Sequence, residues 1–167
     1  MTGQMTGRKS PPRAAIFGCE GPSLSDAEKH FFEDANPLGF ILFARNIDTP
    51  DQVRALVRDL RATVGDDAAP VLIDQEGGRV QRLRPPHWPD RPPASVFAAA
   101  YLDNPHQASE DLAANARAIA RDLADLGITV DCWPVLDLPQ PGADPIIGDR
   151  ALGMDTAAIT ALGGVII

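Results

Sequence analysis

Four times along the chain a short apolar run breaks into polar residues, and helical periodicity follows each break. The runs are Arg13–Cys19, Phe40–Phe43, Val71–Asp74 and Ile128 to about Val135. Dense in apolar residues and without strict alternation, they suit strands covered on both faces. Ser25 opens the first helix with Glu28 three residues on, a capping box. Phe31 and Phe32 are candidates for its buried side, and Asn36-Pro37 ends it after about Asp34. Thr49 caps the second helix, Pro50 fits its first turn and Gln52 completes a box. Val53, Leu56, Val57, Leu60 and Val64 keep one helical stripe, which leaves Arg54, Arg58, Asp59 and Arg61 to a solvated face. Asn104-Pro105 opens a third helix with Leu112, Ala116, Ile119, Ala120 and Leu123 inward, closed by Gly127 as a left-handed cap. Asp155 caps a last helix from Thr156. Strand–helix alternation with right-handed crossovers predicts an α/β fold with a parallel sheet of about four βα units. Two architectures fit. An open doubly wound sheet is complete at 167 residues, whereas a (β/α)8 barrel needs about 250 and would be half built.

The charge balance narrows the function. A formal net charge of −8 argues against a nucleic-acid surface, which needs a basic stripe. Arginines do gather at 79, 82, 84 and 91, and in an acidic chain they fit a ligand site better than a phosphate track. Cys19 and Cys132 are far apart, show no metal or redox spacing and read as buried small hydrophobes. No apolar run is long enough to span a membrane. Met1–Pro12 is polar, lacks the apolar centre of a signal peptide and reads as a disordered lead-in to a domain over 13–167. A cytoplasmic location is the expectation.

The third apolar run surfaces into the densest chemistry. Val71–Leu83 reads V-L-I-D-Q-E-G-G-R-V-Q-R-L, so carboxylates and guanidiniums crowd the end of a buried strand. Ligand sites of parallel α/β proteins lie at such ends. Asp74 is the leading candidate. The plainer reading is a solvated turn, with Gly77-Gly78 there for backbone reasons. Arg82 and Arg150 complete a set suited to a polyhydroxylated ring, with carboxylate oxygens accepting from hydroxyls and guanidiniums donating to oxygens. Arg150 reads equally well as a strut pairing with Asp137 or Asp149. The proline-rich stretch from Pro85 to Pro93 holds His87, read as loop structure, and Trp88, read as a loop anchor before a sugar platform. Dinucleotide, P-loop, nucleophile-elbow and histidine-metal motifs are absent, so neither a metal nor an organic cofactor is expected. A glycosidase needs two carboxyl groups, and Glu76 and Asp137 qualify by residue type alone.

The run DQEGGRVQRL resembles the signature of glycoside hydrolase family 3, in its branch of bacterial β-N-acetylhexosaminidases. The likeness extends through ANPLGFILFARNI (35–47), LIDQEGGRVQRLRP (72–85), PVLDLP (134–139) and IGDRALG (147–153). It implies a (β/α)8 barrel acting on terminal β-linked N-acetylglucosamine of peptidoglycan fragments in cell-wall recycling. By position it assigns Asp74, Arg82 and Arg150 to the subsite holding that sugar, and it argues against catalytic roles for Glu76 and Asp137. The family's K-H-x-P-G-H-G loop, which supplies a His–Asp acid/base pair, and its aspartate nucleophile have no counterpart here. The expectation is therefore the N-terminal half of a TIM barrel, with part of the sugar grip, no catalytic residues and no hydrolysis by this chain alone. A non-catalytic sugar-binding or self-assembling half-barrel, pairing through open sheet edges, and a family 3 β-glucosidase relative are the alternatives.

Overall fold

The computed structural model describes residues 11–142 and 144–167. All but the last two residues of the expected lead-in lie outside them. The elements in order are β1 (Arg13–Phe17), α1 (Asp26–Ala35), β2 (Pro37–Leu42), α2 (Pro50–Val64), β3 (Val71–Ile73), β4 (Gln75–Gly77), β5 (Val80–Gln81), α3 (Ala94–Asp103), α4 (Pro105–Asp125), β6 (Val130–Asp131) and α5 (Thr156–Ile166), with 3-10 turns at Ala44–Asn46 and Gly148–Arg150.

The sheet runs β1-β2-β3-β6, with every pair parallel. Spatial order follows chain order without reversal. A doubly wound sheet reverses at a switch point and places helices on both sides. Same-handed crossovers that never reverse put all the helices on one side, as in an arc of a barrel. Burial agrees. Phe40, Leu42, Val71 and Ile73 are fully buried beneath the helices, whereas Ile41 and Leu72, on the opposite face, are only half-buried. The α/β half-barrel expected from the sequence is the observed fold.

The helices begin where their caps dictate. The Ser25 side chain accepts from the Glu28 N–H at 3.2 Å while the Glu28 carboxylate accepts from the Ser25 N–H at 2.9 Å. Ser25→Ala is expected to cost about 1 kcal/mol, read as a lower urea midpoint with an unchanged slope. At Thr49 the box is shifted by one residue: the Gln52 side chain accepts from the Asp48 N–H, not from that of the cap. The stripe from Val53 to Val64 is buried throughout.

Several expectations are corrected. Phe32 is buried against the Phe40 ring, but Phe31 is 53 % exposed and meets the Phe17 and Phe32 rings edge-on at the rim. Ala120 faces an open groove instead of the core. Cys19 is buried as expected, whereas Cys132, just past β6, is exposed. The fourth strand keeps only Val130–Asp131 of the expected Ile128–Val135, because an edge strand has one neighbour and Pro134 has no N–H to pair. Helix α3 was not anticipated. Its Ala-rich sequence has a strong helix propensity but a weak periodic pattern.

Candidate functional site: the rim of β3

Beyond β3 the chain turns back on itself. β4 and β5 pair antiparallel, forming a small hairpin over the carboxyl end of the sheet. Gly77 sits at φ +94°, and a Cβ there would strike the Pro92 carbonyl, so the tight approach of the proline loop requires glycine. Two buried glutamines fasten the hairpin. Gln75 Oε1 accepts from the N–H groups of Arg82 at 2.9 Å and Leu83 at 3.0 Å. Gln81 Nε2 donates to the Leu83 carbonyl at 2.7 Å and the Pro89 carbonyl at 3.0 Å, while its Oε1 accepts from the Arg91 N–H at 3.0 Å. The Arg91 guanidinium then grips Asp122 on α4 at 2.6 Å. Trp88 is buried in the same loop, a loop anchor as expected.

This scaffold brings Asp74 and Arg82 together. Arg82 Nη2 donates to Asp74 Oδ2 at 2.7 Å, and each side chain keeps about a quarter of its surface in solvent, 24 % for Asp74 and 25 % for Arg82. The pair is thus fixed yet accessible. Arg82 Nε is buried without a partner, a donor left over at the rim.

Arg150 is held otherwise than expected. It does not pair with Asp137 or Asp149. It binds Glu76 bidentately, Nε to Oε2 at 2.8 Å and Nη2 to Oε1 at 2.7 Å. Glu76 is 3 % exposed, while the Arg150 side chain is 24 % exposed. These bonds hold the guanidinium above its ordinary pKa, against the opposing effect of burial, with Asp137 and Asp74 adding smaller attractions. Asp149 instead pairs with Arg79 at 2.8 Å, and Arg79 also donates to the carbonyls of Ile146 and Ile147. The hairpin therefore clamps the Gly148–Arg150 turn with one carboxylate and one guanidinium. Glu76 is saturated by Arg150, and Asp137 is solvent-exposed, so the two do not form a matched catalytic pair.

Asp131 is a member of this cluster that sequence reasoning missed. Its Oδ1 accepts from the Gln75 N–H at 2.9 Å, tying β6 to the peptide that follows Asp74. Its Oδ2 is buried without a partner. Burial foremost pushes its carboxyl up to about 7, with Glu76 and Asp74 adding to the rise against the bonds from the Gln75 and Cys132 N–H groups. The sequence did carry the signal, a lone acid inside the apolar run I-T-V-D-C-W. The neighbouring Cys132 thiol bonds Asp74 and is pushed up to about 11, by desolvation first and then by the surrounding carboxylates. Among the described residues no group of three or more His, Cys, Asp or Glu is placed to hold a metal ion. No described helix is long and apolar enough to cross a membrane.

Comparison with known proteins bears on the family and the fold. The model of the glycosyl hydrolase family 3 N-terminal domain matches residues 13–167. A β-hexosaminidase of Thiobacillus denitrificans is 37 % identical over 145 residues, 86 % of this chain and 39 % of its own length. One from Alkalilimnicola ehrlichii is 38 % identical, over 88 % of this chain and 41 % of its own. The crystal structure of Neisseria gonorrhoeae NagZ in complex with N-trifluoroacetyl-D-glucosamine superposes with a TM-score of 0.82 at 27 % identity, covering 93 % of this chain and 46 % of that one. The same protein in complex with zinc ion gives 0.83 at 26 %. The chain thus spans less than half the length of these relatives. Residues 13–167 are a glycosyl hydrolase family 3 N-terminal domain, and the chain belongs to that family.

Proposed function

We propose that this chain is the sugar-gripping half of a retaining β-N-acetylhexosaminidase that removes terminal β-linked N-acetylglucosamine from peptidoglycan fragments recycled in the cytoplasm. Asp74 accepts hydrogen bonds from sugar hydroxyls. Arg82 and Arg150 donate to ring substituents and fix its orientation. The observation that carries this reading is the rim itself. An accessible carboxylate–guanidinium pair at a strand end lies beside a second guanidinium locked from behind by a buried acid. Two supports come from outside the chain: the β-hexosaminidase relatives, and a structural neighbour crystallised with an N-acetylglucosamine analogue. No K-H-x-P-G-H-G loop occurs in the sequence, so the 167-residue chain by itself binds without cleaving.

Titration with N-acetylglucosamine, followed by amide chemical shifts, tests the grip. Asp74→Ala is expected to weaken binding by about 10- to 100-fold, the worth of hydrogen bonds to a charged group. Unchanged binding by that variant would remove Asp74 from the site. Tighter binding of glucose than of N-acetylglucosamine would favour the β-glucosidase branch instead. Turnover of a chromogenic N-acetylglucosaminide by the purified chain would contradict the absence of catalytic groups.

A further inference from the structure

On the sugar-binding reading of Asp74 and Arg82, we infer that Asp131 is a positioning residue of that grip: its side chain fixes the peptide that aims Asp74 and, through Gln75, the segment that carries Arg82. The direction of a side chain is set by the two peptide planes that meet at its Cα. At Asp74 both planes are pinned to the same neighbouring segment. On one side the Ile73 carbonyl accepts from the Cys132 N–H at 2.8 Å. On the other the Gln75 N–H donates to Asp131 Oδ1 at 2.9 Å. The first bond continues the parallel ladder between β3 and β6. The second is made by a side chain, at the point where the chain leaves β3 for the β4–β5 hairpin.

Gln75 passes the constraint on. Its main chain is held by Asp131, while its side-chain Oε1 accepts from the N–H groups of Arg82 at 2.9 Å and Leu83 at 3.0 Å. One residue of β6 thus steadies the carrier of both sugar-facing groups. The pair needs that support. Asp74 and Arg82 bond each other at 2.7 Å, yet each is 24–25 % exposed, and so loosely covered an ion pair does not fix its own place. Asp131 bonds the Gln75 main chain, so it reaches the sugar only through the groups it steadies. A grip assembled before the ligand arrives loses no affinity to ordering. What position 131 requires is an acceptor and not a charge. Asparagine supplies one and alanine supplies none.

Amide chemical shifts of the full 167-residue chain, followed through titration with N-acetylglucosamine, give the test. Asp131→Ala is expected to weaken binding about 3- to 10-fold, the cost of ordering on binding a group that the parent holds ready. Asp131→Asn should restore the parental affinity to within about twofold. The Gln75 amide resonance should keep its place in the asparagine variant and move in the alanine variant. In an Asp74→Ala background the alanine substitution should lose most of its effect, because it acts largely through Asp74. An alanine variant that binds like the parent overturns the inference. So does an asparagine variant weakened as far as alanine, or an undiminished loss in the Asp74→Ala background. A parent chain that binds no N-acetylglucosamine removes the grip itself, and with it anything for Asp131 to position. Should Asp131→Ala fail to fold, Asp131→Glu keeps the charge but displaces the acceptor by one methylene. The same loss is expected of it, and parental affinity in that variant overturns the inference as well.

Discussion

Glu76→Ala is expected to lower folding stability by about 2–4 kcal/mol, and with it the melting temperature by roughly 5–15 °C. The loss is not that of one contact. Removing the carboxylate strands the Arg150 guanidinium beside a cavity, and the freed charge must either find water or move the Gly148–Arg150 turn. Arg150 keeps 24 % of its side chain in solvent, which places the cost below that of breaking a fully buried pair. Urea denaturation measures it. A double-mutant cycle with Arg150→Met separates the pair from its setting: the double variant should recover part of the loss, because no unpaired charge remains. Glu76→Ala should also weaken N-acetylglucosamine binding, since Arg150 loses the partner that aims it. A variant as stable as the parent would mean that the bidentate contact is not formed in solution.

Asp131→Asn is expected to act in the opposite direction, with an effect that grows between about pH 4 and 7 and levels off above. The Asp131 carboxyl titrates at about 7 in the folded chain, against an ordinary value of 3.8. The folded state therefore holds this proton more tightly than the unfolded one. Its contribution to stability is fully present below pH 4 and is lost as pH rises through 7. Asparagine keeps the acceptor for the Gln75 N–H and carries no charge at any pH. The variant should match the parent near pH 4 and exceed it at pH 8 by about 2 kcal/mol. That figure is reduced from the full linkage value because the side chain is partly exposed. Thermal melts across pH 4–8 give the test. Parallel profiles for the two proteins would mean that Asp131 is ionised, or solvated, throughout.

The sequence made the fold legible where local chemistry and burial point the same way. Ser25 with Glu28, Thr49 with Pro50, and the Val53–Val64 stripe each announce their element and sit where expected. The half-barrel followed from the order of units together with the family resemblance, since periodicity alone left the doubly wound sheet open. What could not be read concerns pairings set by tertiary geometry. Asp137 and Asp149 both read as partners of Arg150, but adjacent side chains on a tight turn diverge, and Asp149 and Arg150 each reached back to the hairpin instead. Glu76 qualified as a catalytic acid by residue type alone, a role that the family resemblance argued against, and its burial against Arg150 makes it a strut. Cys132 resembled Cys19 in its local sequence, yet Cys19 is covered by the Asn46 side chain and the core while Cys132 is left exposed. Helix α3 was missed because alanines report propensity without a face.

The clasp between Glu76 and Arg150 joins positions 74 apart in the chain. On the ribosome, which delivers domains from the N-terminus onward, the acid emerges long before its counter-ion. Until Arg150 follows, a carboxylate destined for a 3 %-exposed site has nothing to neutralise it, and the segment around it gains little by burying early. The sheet and its first helices are thus free to settle ahead of the rim of β3, which locks only once Arg150 has emerged.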